Sequence, residues 1–284
     1  MNLLRWQQVL GVIRLEIRKT FFAKRGFWIY LLALAPVGLF LLHTIIEIQL
    51  RHMGRTRDAS IGQMSFIYAG IFQFFYLRLA IFFGCLGIFM NLFRGEMLDK
   101  SLHFYLLTPM RREVLLVGKY LAGLIAASVI FSISTALQLA AVLAQFDSAT
   151  ISHFLYQSHG LSQIASYLGV TILACLGYGS VFLAAGMLFR NPIIPAAVVL
   201  VWEAANPVLP SILKKISVIY YLKSLCPVSI PVDPGMPSLL ALLVSNAEPV
   251  AGYLAVTGLL LLSALILVAS MKRVRRLEIN YTTE

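Results

Sequence analysis

Six long apolar runs occupy most of this 284-residue chain. Five of the runs exceed, and one approaches, the roughly 20 residues that an α-helix needs to cross a hydrocarbon core about 30 Å thick. Hydrophobic residues make up 60% of the sequence and charged residues 12%, a balance that excludes a soluble globular domain. We therefore predict an all-α polytopic membrane protein with a single transmembrane domain over residues 1–284. The predicted transmembrane helices cover residues 27–48, 67–93, 117–143, 164–189, 193–209 and 250–271.

The distribution of basic residues predicts the orientation of the chain. If alternate loops lie on opposite sides of the membrane, sixteen Lys and Arg residues fall on one side and six on the other, with Arg78 inside a span. Cytoplasmic loops carry the excess of Lys and Arg in membrane proteins. Both termini, and the segment that joins the second span to the third, are therefore predicted to be cytoplasmic.

Residues 1–25 are predicted to form an amphipathic helix on the cytoplasmic membrane surface, and a basic tail without regular structure is the alternative. Trp6 suits the headgroup region, and Arg14 and Arg18 suit anionic lipid, so these three residues are the predicted interfacial anchors. Apolar residues recur along this segment at spacings of three and four, namely Leu3, Trp6, Leu10, Ile13 and Ile17.

The polar segment 94–112 is predicted to contain a docking helix that starts at Glu96 and ends near Leu107. Glu96 and Lys100 form a favourable i, i+4 pair, and Pro109 ends the helix before the next span. A helix of about 12 residues is marginal alone in water, so we expect a partner surface to cover its apolar face. That face comprises Leu98, Leu102, Tyr105 and Leu106.

Arg78 and Glu203 are ionisable residues deep inside the second and fifth predicted spans. At 1.5 Å per residue they lie about 22 Å and about 20 Å from the inner ends of those spans. An unpaired charge at the bilayer centre costs roughly 2.5–3.5 kcal/mol on insertion scales, so we expect the two residues to pair. The pair either holds two helices together or lies on a translocation path or subunit interface.

The fifth predicted span is short and is interrupted at Asn206 and Pro207. Irregular backbone at membrane depth requires protein or a water-filled cavity around it. Residues 210–249 are therefore predicted to form a re-entrant hairpin on the outer side, with an amphipathic helix over 212–225 and a second short apolar piece over 237–244.

No pattern of an enzyme is present in the sequence. A GxxxxGK[ST] phosphate loop, an HExxH motif and a GxSxG motif are all absent, so catalytic, cofactor-binding and metal-binding residues are not expected in this chain. His153 and His159 lack a carboxylate or Cys at ligand spacing and are interpreted as surface residues. Cys85, Cys175 and Cys226 form no CxxC pattern.

The architecture, together with residues 96–102 (EMLDKSL), 106–111 (LLTPMR) and 118–121 (GKYL), resembles the membrane subunit, or permease, of a type-2 ATP-binding-cassette transporter. The resemblance implies an exporter in the inner membrane of a prokaryote, working as two membrane halves. A separate cytoplasmic ATPase would bind ATP and Mg, and no nucleic acid would be involved. The segment after the second span would be the coupling helix that contacts this ATPase, through Glu96, Leu98, Lys100, Leu102, Tyr105, Leu106, Pro109 and Arg111. An ATPase-independent secondary transporter or a membrane scaffold protein is the alternative.

Overall fold

The computed structural model describes residues 2–22, 26–53, 60–98, 111–189, 191, 193–230 and 250–275. Across these residues the chain is helical and contains no β-strand. Five helices in the described part are long and apolar enough to cross a membrane: Phe27–Leu50, Ile61–Glu96, Arg112–Leu143, Gly160–Leu188 and Gly252–Arg275. The prediction of an all-α polytopic membrane protein is confirmed at this level.

The helices follow one another in the order α1 (Asn2–Phe22), α2 (Phe27–His52), α3 (Ile61–Ile71), a π-helical segment (Phe72–Ile81), α4 (Phe82–Leu98), α5 (Arg112–Leu143), α6 (Ser148–Gln157), α7 (Gly160–Leu188), α8 (Ile193–Ala205), a 3₁₀ turn (Asn206–Val208), α9 (Ser211–Lys214), α10 (Val218–Leu225) and α11 (Gly252–Arg275). The second predicted span is thus one continuous helical rod made of α3, the π-helical segment and α4.

The core lies where α4, α5 and α7 pack against one another. Most of the largest fully buried side chains are aromatic, and they include Tyr76, Phe82, Phe89, Phe131, Tyr178 and Phe182. Gly186 of α7 allows a close approach to α4, because an added Cβ would lie 3.0 Å from the Cα of Met90. Helices α2 and α11 carry many exposed leucines and isoleucines, as expected for surfaces that face lipid.

Two predicted boundaries differ from the structure at the polar segment 94–112. Helix α4 continues through Arg94 and Gly95 to Leu98, and α5 already begins at Arg112. Glu96 therefore belongs to the end of a long helix rather than to the start of a separate one. The middle of the segment, residues 99–110, lies outside the described residues.

The fifth predicted span is shorter in the structure than a membrane crossing. Helix α8 has 13 residues, which corresponds to a rise of about 20 Å. The predicted helix 212–225 is divided into α9 and α10, which are separated by Lys215 to Ser217. The apolar piece 237–244 lies outside the described residues.

Candidate functional site

Four charged side chains gather where α1 crosses the end of α4 and the beginning of α5. We call Glu16, Lys19, Glu96 and Lys119 the charge cluster. The end of α11 lies at the same end of the bundle, because Arg275 contacts Glu113 near the start of α5. This end of the bundle therefore joins α1, α4, α5 and α11.

Lys119 is the centre of the charge cluster. Its side chain is fully buried, and its Nζ donates to Glu16 Oε1 at 2.6 Å and to the carbonyl oxygen of Leu92 at 2.8 Å. The same Nζ lies 2.8 Å from Glu96 Oε2 and 5.6 Å from the centre of the Phe93 ring. The ammonium group thus donates hydrogen bonds to one carboxylate and one carbonyl, and it forms an ion pair with the second carboxylate. Lys119 thus connects three helical segments through a single atom.

Glu96 bridges the two lysines of the charge cluster with its two carboxylate oxygens. Oε2 lies beside Lys119, and Oε1 accepts from Lys19 Nζ at 3.1 Å. Lys19 also lies 4.0 Å from Glu16, and about half of its side chain is exposed. The two lysines and two glutamates balance one another in formal charge, which is what a buried ionic group requires.

Burial dominates the electrostatics of Glu16. It raises the pKa of the Glu16 carboxyl above its ordinary value, the neighbouring Glu96 raises it further, and Lys119 and Lys19 act in the opposite direction. Ionisation of the Glu16 carboxyl at this buried position is therefore unfavourable in free energy and depends on the nearby charge of Lys119. Such a group is sensitive to any displacement of its partner.

The local sequence explains how α1 brings Glu16 to this position. Val9, Val12 and Glu16 recur at helical spacing and are all buried. Gly118 faces them from α5, and an added Cβ there would lie 2.9 Å from Val12. The absence of a side chain at residue 118 thus lets the two helices approach closely, next to Lys119.

The predicted interfacial anchors lie on the other sides of α1. Trp6 is 65% exposed, and Arg14 and Arg18 are exposed as well. Leu10, from the predicted apolar face, is 60% exposed. The apolar face that the sequence predicts is therefore not the face that packs on the protein.

Of the three predicted coupling residues that the structure describes, Glu96 alone lies in the charge cluster. Leu98 ends α4, and Arg111 is exposed immediately before α5. The other five, namely Lys100, Leu102, Tyr105, Leu106 and Pro109, lie outside the described residues. Glu16 and Lys19 were not predicted from the sequence as site residues. The available signal was that Glu16 is the only acidic residue among the first 25 and falls in register with two valines.

Arg78 and Glu203, the predicted intramembrane pair, are both buried. Glu203 accepts hydrogen bonds from Ser217 Oγ at 2.9 Å and from the backbone N–H groups of Val218 and Ile219 at 2.9 and 2.8 Å. These are the first donors of α10, so the carboxylate acts as a cap for that helix. The charge of Arg78 acts on the same carboxylate more weakly than these three hydrogen bonds do.

Arg78 lies within the π-helical segment, which has ten residues. π-helical turns are rare, are usually a single turn long, and frequently mark functional sites. Gln73, in the same segment, donates from Nε2 to the carbonyl oxygen of Val228 at 2.8 Å. The segment therefore contacts the chain that follows α10. Within the described residues, no group of three or more His, Cys, Asp or Glu residues could hold a metal ion.

The fold and these two sites define a polytopic α-helical membrane protein with buried ionic groups. In comparisons with known proteins, no family model matches the chain and no curated protein matches it significantly.

Proposed function

We propose that this chain is the permease subunit of an ATP-driven exporter of the type-2 ATP-binding-cassette class. Two copies, or one copy and a paralogue, would form the translocation path in the inner membrane of a prokaryote. A separate cytoplasmic ATPase would bind ATP and Mg and drive the cycle. The observation that carries the proposal is the charge cluster, because it connects Glu96 and Lys119, which lie in two of the three stretches that resemble this family, to α1.

The geometry of the charge cluster supports a mechanical role. Glu96 is the first residue of the predicted docking helix, and Lys119 lies about two turns of α5 beyond the predicted segment 94–112. A force on that segment would therefore reach both α4 and α5. Because Lys119 also holds Glu16, α1 would move with them, as rigid helices do in coupled conformational changes.

The location of basic residues supports the proposed orientation. The end of the bundle that holds the charge cluster also carries Arg111, Arg112, Lys272 and Arg273. An excess of Lys and Arg is typical of the cytoplasmic side. We therefore propose that both termini and the docking segment are cytoplasmic. We propose as well that α8, although short, is the fifth of six membrane segments and that residues 210–249 form a hairpin on the outer side.

Copurification with an ATPase tests this function. A tagged chain should purify from its native membranes with a stoichiometric ATP-hydrolysing subunit, and Leu102→Asp should release it, because a charge would be buried in the docking surface. His103→Asp is the matched control, since it adds the same charge on the predicted polar face and should retain the subunit.

The same experiment separates the alternatives. A chain that purifies without an ATPase and still transports would be a secondary transporter, and one that neither binds an ATPase nor transports would be a scaffold. Equal retention of the ATPase by the Leu102→Asp and His103→Asp proteins would overturn the docking interpretation.

A further inference from the structure

Helix α1 has three distinct faces. One face packs on α5 through Val9, Val12 and Glu16. An exposed apolar stripe that includes Trp6 and Leu10 lies about a quarter turn away, at 100° per residue. Arg14 and Arg18 lie beyond this stripe, on the side of the helix away from α5 and exposed.

This arrangement fits an anionic membrane surface. An apolar stripe flanked by arginines is the pattern of helices that lie at the boundary between headgroups and acyl chains. The connection to α2 fixes the depth, because α1 ends at Phe22 and α2, whose exposed surface is apolar, begins at Phe27. This connection would hold the two arginines at the level where anionic headgroups lie.

We propose that α1 is a sensor of anionic phospholipid, and that Glu16 and Lys119 transmit its position to the end of α4 and the start of α5. Headgroups would hold Arg14 and Arg18 and fix α1 against the bilayer. Since Glu16 lies on the same helix, the contact between Glu16 and Lys119 would be stabilised at an anionic membrane surface and weakened at a neutral one. The proposal stands whether or not an ATPase binds to the chain.

The tight packing between α1 and α5 supports the transmission of movement from α1 to the charge cluster. The side chain of Lys119 is fully buried and lies within 2.8 Å of an oxygen from each of Glu16, Glu96 and Leu92. The close approach at Gly118 leaves no space for α1 to move toward α5. A displacement of α1 therefore breaks the contact between Glu16 and Lys119 or moves Lys119 with it.

Hydrogen exchange in nanodiscs tests the sensor. The purified chain would be compared in phosphatidylcholine alone and in phosphatidylcholine mixed with phosphatidylglycerol. Attraction to an anionic surface contributes about fivefold in equilibrium constant for each arginine, so backbone amides of α1 should exchange up to about 30-fold more slowly in the anionic nanodiscs. High salt should remove the difference, because it screens exposed charges.

Two variants identify the residues that sense the lipid. Arg14→Gln combined with Arg18→Gln should abolish the lipid dependence in α1 and at the end of α4, while the charge cluster remains intact. Lys272→Gln combined with Arg273→Gln is the matched control, because these exposed cations lie on α11, and it should keep the lipid dependence. Equal exchange of wild-type α1 in both lipids, or equal loss in both variants, would overturn the sensor.

A third variant tests transmission. Glu16→Gln combined with Lys119→Met keeps the cluster neutral, and α1 should still respond to anionic lipid while the end of α4 no longer does. If the end of α4 responds in this variant as strongly as in the wild type, the charge cluster does not transmit. The experiment contains no ATPase, so its failure would leave the proposed docking of an ATPase standing, and loss of ATPase binding would leave the sensor standing.

Discussion

Replacing Lys119 with Met removes the central cation of the charge cluster while keeping a long side chain in its place. The substitution leaves two buried carboxylates, Glu16 and Glu96, facing a single lysine that is half exposed. Removing one partner of a buried ionic group costs about 3–5 kcal/mol. We expect Lys119→Met to lower the free energy of unfolding by this amount. Lys19→Met, at the half-exposed position, should lower it by only about 0–1 kcal/mol.

A double-mutant cycle separates the charge effect from the loss of packing. Glu16→Gln alone should cost less than Lys119→Met, because burial already disfavours the charged form of Glu16. Together the two substitutions leave Glu96 with Lys19, so the formal charges balance again. The double variant should therefore be at least as stable as Lys119→Met alone, with a coupling energy of about 1–3 kcal/mol.

Reversible unfolding in mixed micelles, followed by circular dichroism, provides the four free energies of this cycle. Losses in the double variant that equal the sum of the single losses within about 0.5 kcal/mol would show that Glu16 and Lys119 do not interact. The charge cluster would then have no energetic basis as a connection between α1 and α5.

Three further predictions concern other parts of the molecule. The raised pKa of Glu16 means that the folded state binds the carboxyl proton more tightly than the unfolded state does. The free energy of unfolding of the wild type, relative to that of Glu16→Gln, should therefore fall as the pH rises from the ordinary carboxyl pKa through the raised one. Unfolding measured across this pH range tests the prediction, and a difference in free energy that does not change with pH would contradict it. Gly186→Ala should destabilise the packing of α7 on α4. Gly169→Ala on the same helix adds a methyl group that meets no atom within 4 Å, and it should stabilise the protein by up to about 1 kcal/mol. Thermal unfolding distinguishes the two variants, and equal shifts in their unfolding temperatures would refute the close approach. Glu203→Leu should lower the yield of folded protein more than Arg78→Leu, because three hydrogen-bond donors at the start of α10 lose their acceptor. For the same reason, the double variant should not recover the yield, which size-exclusion chromatography measures. Full recovery would show that the main partner of Glu203 is Arg78.

The long apolar helices were predictable because hydrophobic runs of this length have few alternatives in a membrane. The ends of the helices were less predictable. Arg94 and Gly95 were interpreted as the end of the second span, but α4 continues through both residues to Leu98. A polar or charged residue near the end of a span is compatible with helix, and the sequence contains no strong stop signal there. The last turn of α4 is held by the contacts of Glu96 with Lys19 of α1 and Lys119 of α5, which the sequence does not display.

The sequence indicated only two of the four residues of the charge cluster. Glu96 and Lys119 lie in segments that resemble a known family, but Glu16 is about 80 residues away from Glu96 along the chain, and no spacing rule connects them. The predicted pairing of Arg78 with Glu203 rested on matching depth alone. Depth does not reveal that the start of α10 supplies Glu203 with three hydrogen-bond donors.

The proposed function requires that an ATPase move this chain through the end of α4 and the start of α5, and that the charge cluster carry the movement to α1. Its most direct test is a distance between spin labels at Leu15→Cys on α1 and Ser158→Cys beside α6, with the three native cysteines replaced by Ala. Both label positions are exposed. In the copurified complex, ATP with Mg should shift this distance, and Glu16→Gln combined with Lys119→Met should reduce the shift while ATP hydrolysis continues. An identical distance with and without nucleotide in the intact cluster would contradict the account.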